Sequence, residues 1–140
     1  MKIVADTNIL LRAILEDEPQ QAAEAQRLLD RAELVAIPVP VFCEMVWVMR
    51  RLYKRSTDEI AHAIAALLQV EAVVTDRPAI EAGLDVLRRG GDFADGVIAR
   101  HGMALGGTVL ATFDKAAIRS LNDARLRAAE PAELLAGSHG

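Results

Sequence analysis

The chain has 140 residues, of which 52% are hydrophobic and 4% aromatic, and its formal net charge is −4. This length and composition predict one domain packed by aliphatic side chains, as where helices cover a sheet. The negative charge argues against holding nucleic acid by charge alone, unless metal ions reverse the sign of an acidic pocket. The single cysteine excludes an internal disulfide and a thiolate zinc cage.

The start of the chain and its hydropathy predict a soluble protein. The first residues form no apolar leader, and the apolar runs are far shorter than the roughly 20 residues that span a bilayer. We therefore expect a cytoplasmic protein without a membrane segment.

Short apolar runs alternate with amphipathic segments along the first half of the chain. Ser56 with Glu59 has the form of a capping box, which predicts a helix start. Periodicity predicts, in chain order, a strand at 2–5, helices at 7–15 and 19–31, a strand at 34–37, helices at 41–53 and from 56 onward, and a strand at 72–75.

The second half continues the alternation. It predicts a helix closed by the glycine pair at 90–91, a helix at 92–105, a strand at 108–111, a turn at 112–114 and one or two short final helices. Strands separated by helices pair in parallel, so we expect an α/β fold, with a three-layer α/β/α architecture and a central, mainly parallel sheet of four or five strands. We expect a single domain over residues 1–135 and a disordered tail at 136–140.

Five acidic residues occupy positions suited to ligand binding. In open parallel sheets ligands bind beyond the carboxyl ends of strands, and Asp6 and Asp114 each follow a predicted strand. Glu44 lies among apolar helix neighbours, where a buried carboxylate needs a metal ion or a hydrogen-bond partner. Asp92 and Asp95 share the first turn of a helix. This hard, oxygen-rich set favours Mg²⁺ or Mn²⁺ over Zn²⁺ and indicates phosphodiester hydrolysis.

Each acid also has a purely structural interpretation. Asp6 and Asp114 can cap the helices that follow them. Asp92 and Asp95 can together cap the first turn of theirs. Glu44 has the weakest alternative of this kind, because its neighbours make a surface position hard to arrange.

Four short motifs occur in a fixed order along the chain. They are Asp6-Thr7-Asn8 after a strand, Glu44 in an apolar helix, Asp92-Phe93-Ala94-Asp95, and Thr112-Phe113-Asp114. The ordered set, which covers residues 2 to about 131, resembles the PIN-domain ribonucleases. Its spacing resembles the VapC toxins of bacterial toxin–antitoxin pairs.

The resemblance implies a PIN-like fold and a Mg²⁺-dependent endoribonuclease, with Mn²⁺ as a substitute ion. It implies three partners, namely an RNA substrate, a VapB-like antitoxin and a second copy of the chain in a homodimer. Carried over by position, it assigns the catalytic and metal-binding roles to Asp6, Glu44, Asp95 and Asp114, an outer metal contact to Asp92, and supporting polar roles to Thr7, Asn8 and Thr112.

Two further features bear on this site. Gly96 stands where the family usually has a bulkier apolar residue, and this glycine could loosen the helix locally. Basic side chains could attract the RNA backbone, although a solvated basic face is equally open. These basic residues are Arg50, Arg51, Lys54, Arg55, Lys115 and Arg119.

Other functions remain to be distinguished. A non-catalytic PIN-like scaffold that binds protein would tolerate a broken acidic set, whereas the set here is complete. A haloacid-type phosphatase would need a second aspartate where this chain has Asn8. A response-regulator receiver would need an early acidic pair, so the order of the acids fits poorly. No motif names the RNA, since its recognition depends on shape and scattered contacts.

Overall fold

The structure is a computed structural model that describes residues 1–137. The chain forms two units, Met1–Arg77 and Pro78–Gly140. Over the described residues it contains five strands and eight helices, which alternate along most of the sequence. The α/β class with parallel strands is therefore confirmed.

The first unit contains a three-stranded parallel sheet in the order β1-β2-β3. Ile3 pairs with Val35, and Val35 pairs with Val73. Helix α1 packs against α2 and α3, and α3 packs against α4. The elements are β1 (Lys2–Val4), α1 (Thr7–Leu15), α2 (Pro19–Arg31), β2 (Leu34–Ala36), α3 (Val39–Arg51), α4 (Thr57–Gln69) and β3 (Val73–Val74).

Local sequence explains where the helices of the first unit begin. The Ser56 hydroxyl accepts from the Glu59 amide at 3.1 Å, and the Glu59 carboxylate accepts from the Ser56 amide at 3.2 Å, so the predicted capping box is confirmed. Pro19 supplies the fixed φ of a first helical residue to α2. The apolar faces of these helices bury side chains that include Leu10, Phe42, Met45, Met49, Ile60 and Ile64.

The second unit is mostly helical and carries a parallel pair of strands, with Leu110 opposite Ala128. A core cluster is formed by Val86, Ala99, Leu121, Leu126 and Ala128. The elements are α5 (Arg77–Arg88), which begins at the boundary between the units, α6 (Phe93–Ala104), β4 (Leu110–Ala111), α7 (Lys115–Asp123), β5 (Ala128–Ala129) and α8 (Pro131–Gly137).

Strand pairing and the chain end differ from the sequence-based expectation. The five strands found in residues 1–137 form a sheet of three and a separate pair, instead of hydrogen-bonding as one sheet of four or five. Strand β5 was not predicted. Ala136 and Gly137, expected in a disordered tail, are the last residues of α8. The rest of that predicted tail, 138–140, lies outside the described residues.

Within residues 1–137, no helix is both long enough and apolar enough to cross a lipid bilayer.

Candidate functional site

Asp6 lies directly after β1 and caps α1. Its carboxylate accepts a hydrogen bond from the Thr7 amide at 2.8 Å. The side chain is exposed, and it sits at the positive end of the α1 dipole, where an anion is stabilised. The structural role of Asp6 as a helix cap is thus confirmed, and an exposed carboxylate leaves room for a further ligand.

The two polar residues after Asp6 differ in environment. Thr7 is the only buried polar residue found in residues 1–137, at 4% exposure, and its hydroxyl has no hydrogen-bond partner there. Asn8 is exposed. Since an unpaired buried hydroxyl costs stability, Thr7 is a position where the chain retains a polar group at an energetic cost.

The prediction of a buried Glu44 was wrong. Glu44 is exposed on α3, while Phe42, Met45 and Val46 are buried on the opposite side of the helix. The surface face of α3 also carries Trp47, which is 55% exposed. The apolar run misled because several of its residues face solvent, so Glu44 needs no buried partner. Its carboxylate is accessible on a helix that packs against α1, the helix capped by Asp6.

Asp92 and Asp95 lie at the start of α6. Asp92 is the N-cap, and its carboxylate accepts from the Ala94 amide at 2.9 Å. Asp95 follows in the first turn and is half-buried. Within the described residues no hydrogen bond reaches the Asp95 carboxylate, so the capping function belongs to Asp92 alone.

Asp114 caps α7 in the same manner. Its carboxylate accepts from the Ala117 amide at 3.1 Å, while its own amide donates to the Thr112 hydroxyl at 3.1 Å. The Thr112 amide in turn donates to the carbonyl of Ala129, in β5, at 3.1 Å. Thr112 therefore supports the geometry of Asp114, although it was expected only as a general polar supporter.

Two aspartates of the second unit, Asp92 and Asp114, act electrostatically on the third, Asp95. Burial raises the pKa of Asp95, and the charges of Asp92 and Asp114 raise it further. A half-buried carboxylate that faces two like charges and accepts no hydrogen bond is stabilised by a cation. The oxygen donors fit a hard ion such as Mg²⁺.

The described residues of each unit contain no ready-made metal cluster. Within the described part of each unit, no three His, Cys, Asp or Glu side chains are arranged to hold a metal ion. Of the predicted acids, Asp6 and Glu44 belong to the first unit, and Asp92, Asp95 and Asp114 belong to the second.

Two of the predicted RNA-binding arginines, Arg50 and Arg51 at the end of α3, already contact other side chains of the protein. Arg50 donates to the hydroxyl of Thr57 at 2.9 Å. The guanidinium of Arg51 lies 5.7 Å from the ring centroid of Trp47, a cation–π contact. Both side chains remain exposed, so these contacts compete with an RNA phosphate without excluding it.

The remaining basic candidates divide into engaged and accessible residues. Arg55 forms an ion pair with Glu59 at 3.1 Å and lines an open, largely apolar groove of about 650 Å³ between α1 and α4. None of the five predicted acids lines that groove. Lys54 and Lys115 are exposed, and Lys115 directly follows Asp114 in the sequence.

The expectation that Gly96 loosens its helix was wrong. Gly96 is buried, and a Cβ there would lie 2.8 Å from the Ala82 carbonyl oxygen and 2.9 Å from the Gly83 Cα. The missing side chain therefore allows α6 to contact α5 backbone to backbone. Gly96 fixes the helix that carries Asp95 in place.

Phe113 received no role from the sequence. It is 81% exposed, between Thr112 and Asp114. The sequence feature that could have pointed to Phe113 is a large aromatic residue in a predicted turn, with a polar residue on each side. A core residue rarely takes such a position.

Comparison with models of known protein families identifies the domain family of the chain. The family model of the PIN domain matches residues 3–122. No curated protein sequence matches the chain. The matched range contains all five predicted acids together with Thr7, Asn8 and Thr112.

Proposed function

Because the chain belongs to the PIN-domain family, we propose that it is a Mg²⁺-dependent endoribonuclease that hydrolyses RNA phosphodiester bonds. Members of this family are generally metal-dependent nucleases. The observation that carries the proposal is the environment of Asp95. Its half-buried carboxylate accepts no hydrogen bond in the described residues and has a raised pKa, caused first by burial and then by Asp92 and Asp114. A carboxylate in such an environment is a good candidate for a metal ligand.

The proposed ligands come from four helix-associated positions. Exposed carboxylates at the starts of α1 and α7 and on the surface of α3 would join Asp95 around the ion. In this proposal Asp6, Glu44, Asp95 and Asp114 hold the metal, Asp92 contributes from outside, and Thr7, Asn8 and Thr112 support the ligands.

The chemistry follows from the donor set. A bound Mg²⁺ would supply a Lewis acid for the phosphate and a lowered pKa for an attacking water. The chain's own residues orient the participants. The capping hydrogen bonds hold one oxygen of Asp92 and one of Asp114, so that the remaining oxygens have a fixed direction. Lys115 offers a cation to the RNA phosphate beside Asp114.

RNA cleavage tests the proposal. Wild-type protein, Asp6→Asn, Asp95→Asn and the exposed control Asp30→Asn would be incubated with labelled single-stranded RNA in Mg²⁺, in Mn²⁺ and with chelator. We expect chelator-sensitive cleavage by the wild type and the control, and a loss of at least about a hundredfold in the two site variants, provided that they stay folded. Cleavage that persists in chelator, or in Asp95→Asn, contradicts the mechanism.

We further propose that this nuclease is the toxin of a VapBC-type pair, which binds a VapB-like antitoxin and forms a homodimer. The support is the motif spacing, which resembles VapC toxins. Co-expression with the product of an adjacent gene is expected to give a co-purifying complex in which cleavage is suppressed. Light scattering on the purified chain is expected to give twice its mass of 15.1 kDa. A monomer that forms no complex and does not slow growth when expressed contradicts the toxin assignment.

A further inference from the structure

Phe113 exposes its ring beside a proposed metal ligand. The residue is 81% exposed and precedes Asp114, the N-cap of α7. A large apolar ring held in water gains nothing for folding, since burial is what makes such a side chain stabilising. Its position calls for an explanation outside the core.

The loop that carries the ring is fixed on both sides. The Thr112 amide donates to the Ala129 carbonyl at 3.1 Å, and the Asp114 amide donates to the Thr112 hydroxyl at 3.1 Å. The Asp114 carboxylate accepts from the Ala117 amide at 3.1 Å. Phe113 is therefore presented from a hydrogen-bonded turn, and a rigid aromatic surface loses little entropy when a ligand stacks on it.

The charges around the loop suit a nucleotide. On one side lies the exposed carboxylate of Asp114, a proposed metal ligand at the start of α7. On the other, Lys115 and Arg119 are exposed four residues apart on α7, a spacing that places both side chains on one face of the helix. A cation pair suits backbone phosphates, and the acids suit the metal-bound scissile phosphate.

We propose that Phe113 is a stacking platform for an unpaired nucleobase of single-stranded RNA, next to the phosphate that is cleaved, and that Lys115 and Arg119 bind the adjoining backbone. This inference rests on the proposed nuclease function. Single-stranded RNA is commonly held by bases stacked on aromatic side chains over a basic track. A phenyl ring has no hydrogen-bonding group, so Phe113 selects for unpaired RNA and not for a particular base.

A protein partner fits this surface less well. Aromatic anchors in protein interfaces sit within a ring of contacts that excludes water. In the sequence, Phe113 lies between Thr112 and Asp114, and Lys115 follows; Asp114 and Lys115 are exposed. An exposed ring with charged flanks matches a nucleotide better than an apolar interface.

The test separates ring stacking from general apolar contact. The variants are Phe113→Ala, Phe113→Leu and Phe113→Trp. The matched control is Leu105→Ala, which removes an apolar side chain that is 80% exposed. Leu105 is the C-cap of α6, whereas Asp95 lies in the first turn of that helix. Leu105 is about 15 Å along the helix from Asp95. The probes are a fluorescein-labelled 12-nucleotide single-stranded RNA and the same strand annealed to its complement, with binding measured in Ca²⁺ and cleavage in Mg²⁺.

We expect Phe113→Ala and Phe113→Leu to bind the single strand about 5-fold to 100-fold more weakly, the range for loss of one stacked base. Phe113→Trp and Leu105→Ala should remain within about twofold of wild type, and binding of the duplex should not change with the variant. An RNA that carries 5-iodouridine should form a photocrosslink to Phe113, located by mass spectrometry. Thermal melts check that every variant is folded.

Several outcomes would overturn the inference. These are wild-type affinity in Phe113→Ala, wild-type affinity in Phe113→Leu, or a wild-type protein that does not bind the single strand. Retained RNA binding with a lost antitoxin complex would assign Phe113 to a protein interface, and would also overturn it. Phe113-dependent binding without chelator-sensitive cleavage would uphold the stacking platform while refuting the nuclease, so the two failures are distinguishable.

Discussion

Gly96 in α6 lies against Gly83 in α5 so closely that a Cβ on Gly96 would come within 2.9 Å of the Gly83 Cα. The reverse position is equally tight, because a Cβ on Gly83 would lie 2.6 Å from the Val97 side chain. We expect Gly96→Ala to lower the free energy of unfolding by about 1–3 kcal/mol, since backbone atoms cannot move aside as a flexible side chain can. The measurement is urea unfolding followed by circular dichroism.

The same helix provides a control for that substitution. A Cβ on Gly102 would meet nothing within 4 Å. Gly102→Ala should therefore stabilise the protein by up to about 1 kcal/mol through helix propensity alone. If Gly96→Ala behaves like Gly102→Ala, then the contact between α5 and α6 is not as close as described.

Neutralising Asp95 should stabilise the metal-free protein at neutral pH. The folded-state pKa of Asp95 is raised, so the folded protein binds a proton more tightly than the unfolded chain does. The resulting stability is fully present below the ordinary carboxyl pKa and is lost as the pH rises through the raised value. Asp95→Asn cannot lose a proton, so it avoids this loss of stability. The gain in the free energy of unfolding should be less than about 1 kcal/mol, because the side chain is only half-buried.

Thermal melts of wild type and Asp95→Asn between acidic and neutral pH, in chelator, measure this effect. The variant should melt about 1–3 °C higher at neutral pH, and the difference should shrink as the pH falls. Added Mg²⁺ should raise the melting temperature of the wild type more than that of the variant. A difference that does not depend on pH would show that Asp95 is not perturbed by its neighbours.

Replacing the buried hydroxyl of Thr7 should also stabilise the metal-free protein. Thr7 is 4% exposed, and its hydroxyl has no hydrogen-bond partner in residues 1–137. Thr7→Val keeps the shape and removes the unpaired group, so we expect a gain of about 1 kcal/mol. Thr7→Ser retains the hydroxyl and deletes a buried methyl group, so it should lose about 1 kcal/mol. Urea midpoints of the two variants should therefore move in opposite directions from the wild type; equal or reversed shifts would refute this interpretation.

Asn122 should be needed for the strand pair of the second unit. Its amide group donates to the Ala128 carbonyl at 3.1 Å and accepts from the Ala128 amide at 3.0 Å, as a neighbouring strand would. Asn122→Ala should cost about 1–3 kcal/mol by leaving both groups unpaired. Asn122→Asp keeps the acceptor but loses the donor, and it should also destabilise. Hydrogen exchange at the Ala128 amide reports the local effect, and an unchanged rate in Asn122→Ala would contradict it.

The local structure of this protein can be predicted from short stretches of its sequence. Helices α1 and α2 begin and end as predicted from apolar spacing, because both their apolar faces and their end signals are encoded within a few residues. The Ser56 capping box and the cap at Asp92 are local hydrogen bonds of the same kind. The order of the acidic motifs, which is also a property of the sequence alone, resembles that of the PIN-domain family.

Features that depend on residues far apart in the sequence could not be predicted without the three-dimensional fold. Strand β5 is two alanines, which carry no strand signal, and it forms because β4 and Asn122 supply its hydrogen-bond partners. The exposure of Glu44 depends on which face of α3 packs inward, and an apolar run does not encode that choice. From the sequence alone, Gly96 is expected to loosen its own helix, whereas the opposing backbone of α5 makes it a point of close packing. Burial and packing arise from contacts between separated segments, which a local pattern cannot specify.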